Sequence, residues 1–148
     1  MAFVFPLQGV LRVRELQERS ELQRLEAVAA QVAAARAEIA SLEAEAEQIR
    51  RGVWQEASAG ISGAELHFSA ARESASLERR RLLQAKVQEL ERAQQAQIQR
   101  YLQARQKKET IAHLREEYLA TYELEQSRRT QRQLDELFLV RQAARRNS

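Results

Sequence analysis

Few side chains in this sequence are placed to do chemistry. There are two histidines, His67 and His113, and no cysteine. His113 with Glu116 or Glu117 has the i, i+3 and i, i+4 spacing that puts two metal ligands on one helical face. Two ligands do not hold an ion where three or four are usual. Gly60-Ile61-Ser62-Gly63 has glycines at a turn but lacks the Lys-Ser/Thr that a phosphate-binding loop carries after its second glycine. Asp135 stands beside Glu136, yet a paired-carboxylate mechanism also needs a cleft, and a two-helix rod has none. These residues predict no enzyme, no cofactor and no metal site.

Basic clusters are the other chemically suggestive groups. They are Arg79-Arg80-Arg81, Arg105 with Lys107 and Lys108, and Arg128-Arg129 with Arg132. Such groups can meet phosphates. A basic-zipper protein carries its basic region before a parallel leucine seam, with base-reading residues inside it. That order is missing here, and most of these arginines alternate with glutamates. A nonspecific nucleic-acid-binding coiled coil is therefore an alternative, not the leading expectation.

The elements that would position these groups are helices. Leu25, Val28, Val32, Ala35, Ile39, Leu42, Ala46, Ile49 and Val53 follow one another at steps of three and four. That is a heptad stripe. So thin a stripe cannot stabilise a helix alone in water, so a partner helix must cover it. Ala, Glu, Lys, Leu and Arg make up well over half the chain, as in long helices and coiled coils. The only proline is Pro6, at a position where a helix can start.

Two glycines in four residues, Gly60 and Gly63, stop the first helix. Ser62 with Glu65 three residues on forms a capping box for the next. The expectation is one all-α coiled-coil domain over 1–148, an antiparallel helical hairpin. It has a helix over about 6–57, a turn over about 58–62 and a helix over about 63–145. Between Arg14 and Glu21 the apolar pattern falters, because Leu16 and Leu22 miss the later register. A stutter is expected there. The Ser- and Ala-rich stretch Leu66 to Ser76 is expected to fray or to form a short helix of its own.

The second seam runs through Leu83, Val87, Leu90, Gln94, then Gln97 or Ile98, then Tyr101 or Leu102. Lys108, Ile111, Leu114, Tyr118 and Tyr122 continue it. A turn near residue 60 would bring Phe3 and Phe5 close to Tyr118. Phe3, Phe5, Leu7, Leu11, Tyr118 and Tyr122 then make an N-terminal clasp. Residues from about Thr121 onward overhang, and they carry Leu124, Leu134, Leu137, Phe138 and Val140. From Gln126 onward there are six arginines against Asp135 and Glu136. A basic, partly apolar overhang is a binding element in search of a partner. No run of about 18 apolar residues suggests a membrane span, and the start does not look like a secretion signal, so a cytoplasmic protein is expected.

Both ends resemble the flagellar export protein FliJ family. The first motif is Phe3, Phe5, Leu7, Val10, Leu11 and Arg14. The second is the basic stretch Arg128-Arg129-Thr130-Gln131-Arg132-Gln133 running into Leu134-Asp135-Glu136. The resemblance implies an antiparallel two-helix coiled coil similar to the axle of rotary ATPases. It implies a central stalk in the hexameric ring of the flagellar type III export ATPase. The implied further partners are the export-gate membrane protein and export chaperones, with peripheral association at the inner-membrane export apparatus. By the match at the second motif, Arg128, Arg129, Arg132, Leu134, Asp135, Glu136 and Phe138 would meet the ring or stabilise the rod end. A structural scaffold that dimerises into four helices is the alternative of another class.

Overall fold

The computed structural model describes residues 2–60 and 62–148. Helix α1 spans Gln8–Ala59 and helix α2 spans Gly63–Arg146, with no strand among the described residues. The fold is all-α, two long helices packed on each other as a helical hairpin. Pro6 and Leu7 form a turn that leads into α1, where Gln8 N–H donates to Phe5 O at 3.1 Å and Leu11 N–H to Leu7 O at 2.9 Å.

α1 ends because Gly60 takes the left-handed conformation, with φ 85°. Glycine adopts this conformation without a Cβ clash, and a helix that reaches it stops. At the start of α2, Ser62 Oγ accepts the Glu65 amide at 3.2 Å, and Ser62 O accepts the Leu66 amide at 3.1 Å. These bonds engage amides that a helix N-terminus otherwise leaves without a partner. Ile61, inside the expected turn, lies outside the described residues.

The chain divides into two compact units. One joins the residues up to Arg19 with Gln103–Ser148, and the other is Ser20–Leu102. In the second unit every residue of the stripe from Leu25 to Val53 is buried or half-buried. Val32 and Ala35 are buried there with Val87 from α2. Ion pairs flank this seam: Arg50 Nε to Glu73 at 3.0 Å, Arg80 to Glu43 at 2.8 Å, Arg79 to Glu38 at 2.9 Å, and Arg36 to Glu91. Their exposure keeps each pair's contribution at about 0–1 kcal/mol. Their value lies in holding one pairing of the helices.

Two expectations are corrected. The stutter between Arg14 and Glu21 does not occur. Leu7, Leu11, Arg14, Glu18 and Glu21 are buried or half-buried, and they continue into Leu25 at steps of four and three. Leu16 and Leu22 are exposed because they lie off this stripe. Polar side chains hold the seam here: Glu18 meets Lys108 in the first unit, and Glu21 meets Gln97 in the second. Nor does Leu66 to Ser76 form a separate helix. It is part of α2, with Ser69, Glu73, Ser76 and Arg80 on the covered side. Of the alternatives in the second seam, Gln97 is buried and Ile98 half-buried, and Tyr101 is covered while Leu102 is exposed.

Candidate partner-binding surfaces

The N-terminal segment is positioned by aromatic packing in the first unit. Phe5 and Tyr118 meet edge-to-face with ring centroids 5.6 Å apart, and Phe3 meets Tyr122 at 5.5 Å. Both separations suit the attraction of a ring edge for a ring face. The Arg115 guanidinium lies 5.5 Å from the Phe3 ring centroid, and its Nε donates to Gln8 Oε1 at 3.3 Å. Phe5 and Leu11 are buried and Leu7 is half-buried. Four of the six expected clasp residues, Phe3, Phe5, Tyr118 and Tyr122, thus meet in ring pairs. Arg115, a cation resting on an aromatic face, was not among the expected members. Its i, i+3 spacing to Tyr118 was the sequence signal for it.

Just beneath the clasp, Lys108 Nζ lies 2.8 Å from Glu18 Oε2. The hydrogen bond to that carboxylate raises the Lys108 pKa above the ordinary lysine value, against a lowering by burial. His113 lies on the outside, with Nδ1 3.8 Å from Glu116 and Nε2 3.4 Å from Glu117. The three are exposed, and no group of three or more potential metal ligands gathers among the described residues.

Beyond Tyr122 little of the helix is covered. Gln126 is half-buried, and every residue from Ser127 to Ser148 is exposed. Arg128, Arg129, Arg132, Leu134, Asp135, Glu136 and Phe138 all lie on this span. Residues 123–146 extend for about 36 Å as helix. Asp135 accepts a hydrogen bond from Gln131 Nε2 at 3.1 Å, one turn back. Leu134, Leu137, Phe138, Leu139 and Val140 are each more than half exposed. This is the largest run of bare apolar side chains on α2. No helix among the described residues is long and apolar enough to cross a membrane.

The second unit carries an apolar surface that the periodicity did not reveal. Trp54 is 80% exposed and Phe68 70%. Trp54, Val53, Ala57, Leu66 and Ala70 line a groove beside the turn. The signal for it was present, since Trp54 and Phe68 are large aromatics placed off the heptad positions.

A family model described as Flagellar FliJ protein matches residues 3–148. No curated protein and no solved structure matches the chain.

Proposed function

We propose, for a chain that belongs to the flagellar FliJ family and is thus a flagellar export-related protein, a non-enzymatic stalk and coupling role. The chain seats in the central hole of the hexameric flagellar type III export ATPase. It links that ring to the export-gate membrane protein and to export chaperones, held peripherally at the inner membrane. Arg128, Arg129, Arg132, Leu134, Asp135, Glu136 and Phe138 are the residues that meet the ring.

The observation that carries this reading is the bare helix from Ser127 onward, both cationic and apolar. A helix with an uncovered apolar surface is stabilised by a partner that covers it. Its arginines favour a partner with acidic groups around the opening. Neither helix contains Pro, a common cause of a sharp kink.

The test mixes the purified chain with the purified export ATPase of the same flagellar system. Binding and a rise in ATP hydrolysis are expected, and binding should weaken as salt rises. Neither binding nor stimulation at low salt overturns the reading.

A further inference from the structure

Arg36 of α1 and Glu91 of α2 pair on one flank of the second unit's seam. One heptad before Arg36 stands Ala29, and one heptad after Glu91 stands Ile98, so both lie on that flank. Leu22, Glu26, Ala29, Ala33, Arg36 and Ala40 follow one another at steps of four and three, which puts them on one face of α1. Ala29 is half-buried and the other five are exposed. Among the described residues, Glu26 has no hydrogen bond and no ion pair.

The order of these six residues is its own complement when reversed. Laid antiparallel on itself about the midpoint of Ala29 and Ala33, the face sets Leu22 on Ala40, Glu26 on Arg36 and Ala29 on Ala33. Two-fold symmetry makes each pairing twice. A large side chain meets a small one, an acid meets a base, and the alanines at the centre let the helix axes approach to about 8 Å. Arg36 already holds Glu91, but a guanidinium presents five N–H donors and this side chain is 62% exposed, which leaves donors for a second carboxylate.

We propose that this face of α1 binds the same face of a second copy of the chain, antiparallel, to give a pair of hairpins. The stalk reading is tested with the ATPase, whereas this inference is tested on the chain alone, so either can fail without the other. The charge order disfavours other occupants. A parallel second copy would set Glu26 on Glu26 and Arg36 on Arg36. A nucleic acid would meet Glu26 as well as Arg36. A lipid surface needs a broad apolar face, which these two charges interrupt. A different protein would need a helix that reads Arg, small, small, Glu at these steps, and this chain run backwards supplies that.

The test is sedimentation equilibrium of the full chain from about 1 to 100 μM. A dimer is expected, and a monomer throughout overturns the proposal. Glu26→Arg, which would face Arg36 of the second copy, is expected to weaken the dimer about tenfold or more. Glu45→Arg makes the same change of charge on the opposite side of α1 and should leave the dimer unchanged. Both glutamates are exposed and arginine is a good helix former, so circular dichroism should not change in either variant. Equal weakening by the two overturns the proposed face.

The direction is read from disulfides, since the chain has no cysteine of its own. Leu22→Cys and Ala40→Cys are made as separate chains and oxidised alone and mixed. In the antiparallel pair, residue 22 of one copy lies beside residue 40 of the other, while like residues stand about 27 Å apart along the axis, beyond reach of a disulfide. Crosslinking in the mixture and in neither variant alone is expected. Crosslinking of each variant alone overturns the proposal in favour of a parallel pair, and crosslinking in no sample overturns it outright.

Discussion

Lys108 of α2 and Glu18 of α1 face each other as an ion pair at 2.8 Å, each on a heptad position where an apolar residue would ordinarily stand. Both are largely covered, so the pair joins the helices from within the seam. Lys108→Ala is expected to cost about 1–2 kcal/mol, leaving the Glu18 carboxylate half-covered and alone. Thermal unfolding followed by circular dichroism measures it. The pH dependence has a defined sign. Because the folded-state pKa of Lys108 is raised, the pair's contribution is complete below the unfolded lysine value of about 10.4 and is lost as pH rises through the folded value. Wild type and Lys108→Ala should therefore converge in stability above that range.

The clasp yields a second prediction. Phe5 is buried against Tyr118, and Phe5→Ala is expected to cost about 2–4 kcal/mol. Phe3→Ala with Tyr122→Ala in a double-mutant cycle should give a coupling of about 0.5–1.5 kcal/mol. Denaturant unfolding reads both values. A coupling near zero would show that the Phe3–Tyr122 contact contributes only its buried area.

Gln97 gives a third. It is buried, and its amide donates to the Glu21 carbonyl at 3.1 Å and to the Glu21 carboxylate. Gln97→Leu alone should destabilise, since the Glu21 carboxylate loses a covered partner. Gln97→Leu with Glu21→Leu should stabilise by about 1–3 kcal/mol, as apolar replacement of a buried polar pair often does. The expected loss is in specificity. A polar seam position fixes register, so the double variant should show more self-association in sedimentation experiments.

Gly60 gives a fourth. Apart from Gly60 itself and its chain neighbours, no atom of the described residues lies within 4 Å of where a Cβ would stand. The positive φ remains, and Gly60→Ala is expected to cost about 1–2 kcal/mol from backbone conformation alone. Gly60→Asn, which tolerates this conformation better, should recover part of that loss in the same melting experiment.

The hairpin was legible where the seam is apolar. From Leu25 to Val53 every covered position is a small or aliphatic residue, so the periodicity is plain. Between Arg14 and Glu21 the covered positions are charged, and an apolar pattern cannot register them. Leu16 and Leu22 suggested a change of winding only because they are apolar and off the stripe. Long charged side chains bury their stems and still reach a partner across the seam. The ring pairs Phe5–Tyr118 and Phe3–Tyr122 join aromatics that stand out in the sequence, whereas Arg115 is signalled only by its i, i+3 spacing to Tyr118. The groove beside Trp54 stayed hidden for another reason: Trp54, Ala57, Leu66 and Ala70 lie outside the repeat that ends at Val53.

The bare end of α2 has a thermodynamic consequence. Its roughly two dozen residues form helix with no neighbouring element, so their order depends on the helix–coil equilibrium of the segment itself. Any partner that grips it must freeze out the remaining coil, and that loss of chain entropy opposes association. Association should then be strongly exothermic with a negative heat-capacity change, and its affinity should fall on warming. Temperature would act as a dial on how firmly the far end of this helix is held.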